Sequence, residues 1–146
     1  MCLTVALAST FAGNAVACAA ANAVLDIYEA ERIVENARVR GEQLLAGLLH
    51  LKRRHPLVGD VQGKGLYAAI EFVRDRTTKE PAARETVFMH TECVKEGLIC
   101  QRSGYYSNRF TLLPTLVITA EQVDRALAIF DTVIGRAEQQ SGIGRA

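Results

Sequence analysis

Two stretches of the chain hold residues whose type and spacing could do chemistry. The first is Ser9-Thr10-Phe11-Ala12-Gly13-Asn14, which sets two hydroxyls and a glycine directly before an alanine-rich run. If that run is a helix, its first turn presents free N–H groups and partial positive charge, and a phosphate can sit there. Plain capping by Asn14 explains the same residues, and on residue type alone both readings stay open. The second is Arg109, on a predicted strand beside a loop with Tyr105 and Tyr106. It can grip a carboxylate in a two-pronged way, or be a solvated or ion-paired surface arginine.

Other polar residues carry less. Gly63-Lys64-Gly65 lacks the third glycine and following helix of a dinucleotide fingerprint, and the Lys-Ser/Thr of a P-loop. It reads as a place where two backbones pass closely, with Lys64 in solvent. His50, His55 and His90 share no spacing that builds a metal site or a triad, so each reads as structural or superficial. Asp60 and Glu71 stand as isolated acids. Cys2, Cys18, Cys93 and Cys100 form no Cys-x-x-Cys pair and read as reduced thiols.

The elements that must position these residues follow from the pattern. A chain of 146 residues with 49% apolar and 23% charged residues is an ordinary globular composition. A net charge of +1 gives no support to binding of nucleic acid or an anionic membrane. Residues 1–25 carry no charge, and Ala6-Leu7-Ala8 resembles an export cleavage site. No basic residue precedes that stretch, and Ser9, Thr10, Gly13, Asn14 and Asn22 interrupt it, so it reads as neither signal peptide nor membrane span. A cytoplasmic location is expected.

Ala15 to Glu29 predicts a helix, capped by Asn14 and too apolar for an ordinary surface helix. Glu31 to Arg54 predicts a second, with Val34, Ala37, Gly41, Leu44, Leu48 and Leu51 as one stripe. Its terminal Lys52, Arg53 and Arg54 favour the helix dipole, and Pro56 stops it. Val58 to Val73 predicts strand, broken by Gly59, Gly63 and Gly65, and Arg74 to Pro81 a surface turn. Arg84 to Glu96 predicts a helix with Val87, Thr91 and Val94 on one face, stopped by Gly97. Leu98 to Gln101 and Arg109 to Leu113 predict short strands, with a loop from Arg102 to Asn108 between them. Thr119 and Gln122 make a capping box for a last helix that buries Val123, Leu127, Phe130 and Ile134. The order implies an α+β fold, long N-terminal helices leading into a small, helix-covered, partly antiparallel sheet.

Four motifs, in order, resemble one family. Ser9-Thr10-Phe11-Ala12-Gly13-Asn14 with Ala17-Cys18-Ala19-Ala20-Ala21 is similar to the "TFxGNPxACAAA" segment of class III aminotransferases. Val61-Gln62-Gly63-Lys64-Gly65-Leu66 with Ile70-Glu71 resembles "VRGxGLxxxIE", and Thr77-Thr78-Lys79-Glu80-Pro81 the "TKEP" turn. Leu113-Pro114-Thr115-Leu116-Val117-Ile118-Thr119 resembles "xPPLxIT". The match runs from about Ser9 to about Arg136.

The resemblance implies the C-terminal part of a fold-type I enzyme, usually a homodimer, that uses pyridoxal 5'-phosphate. It moves an amino group between an amine or amino acid and a keto acid. Residues 1–30 would be the end of the large cofactor domain, and residues 31–146 the linking helix and small C-terminal domain. Thr10, with Ser9 beside it, would reach the phosphate of the partner subunit's cofactor. In the family the lysine that anchors the cofactor covalently, and the aspartate on its ring nitrogen, lie upstream of the first motif. Only Met1 to Ala8 precede that motif here, so no catalytic residue is assigned and the chain alone is expected to be inactive. Ala15, Gln62 and Thr115 replace a family proline, arginine and proline. Thr111 stands where many members carry the arginine that grips the substrate carboxylate, and Arg109 is two residues earlier. Side chains two apart on a strand share a face, roughly 7 Å apart, so two readings stand: Arg109 does that task from its displaced position, or the grip is lost and amines without an α-carboxylate are preferred. Two alternatives are a stand-alone, non-catalytic dimerisation module and part of a related aminomutase or decarboxylase.

Overall fold

A computed structural model describes residues 10–143. The chain forms two compact units, Met1–Ile33 and Val34–Ala146. In the first, Asn14 starts helix α1 (Ala15–Ala30), its side chain accepting from the Ala17 N–H at 3.0 Å. Taken by itself, α1 has no buried residue. The helix closes at Glu31, and Arg32 turns the chain with a φ of 50°.

The second unit is built on helix α2 (Ile33–Arg54). Leu44, Leu48 and Leu51 are buried as their spacing requires. Val34, expected on that stripe, is 68% exposed. Arg76 closes the helix end: its Nε donates to Val58 O at 3.1 Å and its Nη2 to His55 O at 2.8 Å and to Lys52 O. These bonds satisfy carbonyls that a helix C-terminus leaves free.

Strands β1 (Val58–Lys64) and β2 (Tyr67–Phe72) form an antiparallel hairpin. Of the three glycines expected to break this stretch, Gly59 and Gly63 lie inside β1, and Gly65, with φ of 57°, makes the turn. The close backbone passage is there too. A Cβ on Gly41 of α2 would come within 2.3 Å of the Gly65 backbone. After the hairpin, Asp75 Oδ1 accepts from the Thr77 and Thr78 N–H groups at 2.7 Å, holding the expected surface turn.

Helix α3 spans Ala83–Lys95. Its buried residues are Glu85, Thr86, Met89 and Cys93, whereas Val87 and Val94 are about half exposed, at 47% and 49%. The valine face is therefore not the one that packs on the core. Thr86, Met89 and Cys93 recur at helical steps, and Met89 and Cys93 both suit a core. Strand β3 (Gln101–Ser103) starts later than expected, and residues 98–100 form no regular element. Strand β4 (Arg109–Leu112) agrees with expectation to within a residue. Helix α4 (Ala120–Ser141) carries the capping box: Gln122 N–H donates to Thr119 Oγ1 at 3.3 Å, and Thr119 N–H to Gln122 Oε1 at 3.0 Å.

The sheet is antiparallel throughout, in the order β1-β2-β4-β3, so the expected α+β fold is present. One core joins α2, α3 and α4 to one face of this sheet, through Val61, Ala68, Ile70, Phe72, Phe110 and Leu112. Phe110 lies edge-to-face with Phe72 at 5.1 Å and stacks on Phe130 at 6.0 Å. Among the described residues, no helix is long and apolar enough to cross a membrane.

Candidate functional site

Strand alternation sends every second residue to the other face of the sheet. Register lines them up in two rows. Asp60 pairs with Glu71, Glu71 with Arg109, and Arg109 with Ser103; Gln62 pairs with Ala69, Ala69 with Thr111, and Thr111 with Gln101. Asp60, Gln62, Ala69, Glu71 and Arg109 line one small depression. Sequence reasoning treated Asp60 and Glu71 as isolated acids. The hairpin register brings both to Arg109, a signal visible only once strand pairing is known.

The charges in this row are not equally committed. Lys52 Nζ reaches Asp60 Oδ1 at 2.7 Å, and Gln62 Nε2 donates to Asp60 Oδ2 at 2.9 Å. The Lys52 contact holds the Asp60 carboxyl below the usual carboxylate range, against the opposing effect of burial. Arg109 is half-buried. Its Nε is fully buried without a hydrogen-bond partner, and among the described residues its guanidinium has no ion pair. Gly104 explains this burial. Its φ of 86° folds the loop back, and a Cβ there would meet Arg109 Cβ at 3.2 Å. A buried arginine Nε without a partner is costly.

Thr111 sits beside Arg109 on the same face, as expected, with its Oγ1 2.6 Å from Ser103 Oγ. Beyond it opens an apolar cavity of about 540 Å³, whose lining includes Leu98, Cys100, Gln101, Thr111, Pro114 and Phe130.

The other predicted site residues lie in the first unit. Ser9 falls outside the described residues. Thr10 is exposed, and among the described residues its hydroxyl has no hydrogen-bond partner. Asn14 does cap the helix, so the plain capping reading holds. That cap occupies only the Ala17 N–H, and a helix N-terminus has several more to offer. A free hydroxyl, uncommitted backbone N–H groups and Gly13 with φ of 76° suit a phosphate, the group pyridoxal 5'-phosphate would bring. Of the histidines, His90 bonds Cys100 O at 3.1 Å. His55 is buried, with Nδ1 2.8 Å from Glu138 Oε2 and Nε2 2.9 Å from Asp131 Oδ1. No group of metal-binding type occurs among the described residues.

Residues 2–134 match the family model "Aminotransferase class-III". The chain belongs to the class III aminotransferases. It is 38% identical over 140 residues to a taurine–pyruvate aminotransferase of Bilophila wadsworthia, covering 92% of this chain and 31% of the relative. It is 35% identical to the Escherichia coli 4-aminobutyrate aminotransferase GabT, covering 91% of this chain and 31% of that relative. Among solved structures, a Bacillus anthracis aminotransferase is similar with 38% identity and a TM-score of 0.79, over 88% of this chain and 30% of that one. A PLP-bound amine transaminase from an uncultivated Pseudomonas species is similar with 34% identity and a TM-score of 0.80, over 92% of this chain and 30% of that one. The chain thus spans about a third of the length of these class III relatives.

Proposed function

We propose that these residues serve as the C-terminal part of a pyridoxal-phosphate-dependent aminotransferase, acting as a homodimer on an amine or amino acid and a keto acid. Residues 1–30 end the large cofactor domain, and residues 31–146 supply the linking helix and small domain. The observation that carries this reading is the class III match over nearly the whole chain, at about a third of its relatives' length. The bound cofactor supplies the electron sink for breaking bonds at the amine carbon.

This chain's own residues bind and orient. Thr10, with Ser9, donates hydroxyl hydrogen bonds to the cofactor phosphate of the partner subunit, beside the open N–H groups of α1. Arg109 grips the substrate carboxylate. It shares a face with Thr111, whose hydroxyl is paired with that of Ser103. None of the lysines in these 146 residues anchors the cofactor.

A chimera tests this reading. These residues would replace the matching part of the Bilophila wadsworthia taurine–pyruvate aminotransferase. Borohydride reduction with pyridoxal phosphate should then fix the cofactor on one lysine outside the grafted residues, with transamination. The 146-residue chain alone should show neither. Thr10→Val in the chimera should weaken cofactor binding roughly tenfold to a hundredfold, since a hydrogen bond to a charged group is worth about 1.5–3 kcal/mol. Stoichiometric labelling of one lysine in the isolated chain, with turnover, would refute the assignment. Unchanged cofactor affinity would leave Thr10 outside the phosphate site.

A further inference from the structure

A buried charged joint that the proposed reaction does not use fastens α4 to the corner between α2 and β1. His55 directly follows the last residue of α2. Its Nδ1 lies 2.8 Å from Glu138 Oε2 and its Nε2 2.9 Å from Asp131 Oδ1. An ionised carboxylate only accepts, so both bonds are made together only when both ring nitrogens carry a proton. The two carboxylates are not equal. Asp131 Oδ1 is also held by Arg54 Nη1 at 2.8 Å, and its side chain is 31% exposed. The Glu138 side chain is 14% exposed. Among the described residues its carboxylate has one other hydrogen bond, from Leu57 N–H to Oε1 at 3.1 Å. On the far side of the joint, Arg76 Nη2 donates to His55 O at 2.8 Å.

We propose that His55 is a proton-dependent fastener of α4, which holds Asp131 and Glu138 together as the charged ring and, as the neutral ring, keeps its proton on Nδ1 for Glu138 and releases Asp131. Loss of the Nε2 proton to solvent leaves a nitrogen lone pair facing the Asp131 carboxylate. Asp131 is the more exposed of the two acids, and it can turn to Arg54 and water. Loss of the Nδ1 proton would instead strand Glu138 Oε2, the better shielded oxygen, without a donor. An unpaired buried acceptor is the costlier outcome, and the hydrogen bond that survives sets the tautomer of the ring. Glu138 raises the ring's pKa above its ordinary value, opposed by burial and aided by Asp131. The fastener is therefore fully closed below the ordinary imidazole range, and one arm opens as pH rises through the raised value. Asp131 and Glu138 stand about two turns apart on α4. The helix then stays tied to the corner at Glu138 and is let go at Asp131.

The test uses the full chain, labelled with nitrogen-15 in histidine, and follows the two His55 ring nitrogens by NMR as pH is raised. Both should stay protonated above about pH 6.5, the ordinary midpoint of the ring. Beyond the transition Nδ1 should keep its proton and Nε2 should be bare. Asp131→Asn should leave the neutral ring's proton on Nδ1. Glu138→Gln should move that proton to Nε2, and it should lower the transition more than Asp131→Asn does. The wild-type titration decides the matter even if a variant unfolds. A neutral ring protonated on Nε2 in the wild-type chain, or a transition at or below the ordinary midpoint, would overturn the proposal.

Discussion

The two faces of the small sheet are made by the same strands, yet they are built on opposite rules. On the packed face Ile70, Phe72 and Phe110 are fully buried, and Val61, Ala68 and Leu112 join them in the core. On the open face the same strands carry Asp60, Glu71 and Arg109 in register, and Arg109 Nε has no partner. Apolar burial is concentrated on one face, and the other keeps one buried polar atom, Arg109 Nε, without a partner. Such violations of local satisfaction are expected at functional positions.

The largest expected effect tests the packed face. Phe110→Ala removes a ring wedged between Phe72 and Phe130 and should cost about 3–5 kcal/mol in urea unfolding. A loss below about 1 kcal/mol would mean that this face is not the core.

The next tests a charged clamp on the helix side. His55 has a carboxylate on each ring nitrogen, so both nitrogens donate only when the ring is protonated. Glu138 raises its pKa above the ordinary value, opposed by burial and aided by Asp131. Arg54 also pairs with Asp131, and the Arg76 guanidinium faces the His55 carbonyl. A raised folded pKa stabilises fully below about pH 6.5, the unfolded value. That contribution is lost as pH rises through the folded pKa. His55→Ala should cost about 2–3 kcal/mol at pH 6, with a smaller loss at alkaline pH. A cost independent of pH would show that the ring acts by packing alone.

These two regions were unequally legible in the sequence. The capping box, the α4 face and the Arg109 strand could be read because each rests on local spacing or alternation. On α3 the spacing showed the Val87–Thr91–Val94 face, yet Met89 and Cys93 are the residues buried. Tertiary packing, which no short window contains, chose between them. The Asp60–Glu71–Arg109 row and the His55 clamp depend on pairing across long separations. His55 and Glu138 lie 83 residues apart, so neither residue signalled the other.

A smaller effect tests the α4 start. Thr119→Ala breaks one half of the capping box and should cost about 1 kcal/mol in thermal or chemical unfolding. No loss would mean that Gln122 alone satisfies the first turn.

The smallest stability effect is expected on the open face. Arg109→Ala should shift unfolding by no more than about 0.5 kcal/mol, or stabilise slightly, because no partner is lost with it. A loss near that of Phe110→Ala would erase the distinction between the faces.

The central claim is that the open face was kept for a substrate's carboxylate. Steady-state kinetics of the chimera with and without Arg109→Ala, on paired substrates that differ only in a carboxylate, test it most directly. KM for the carboxylate substrate should rise at least tenfold, the equivalent of losing a charge-assisted contact of about 1.5–3 kcal/mol, while KM for the plain amine stays nearly constant. Equal changes for both substrates would contradict the claim and leave Arg109 as a structural residue.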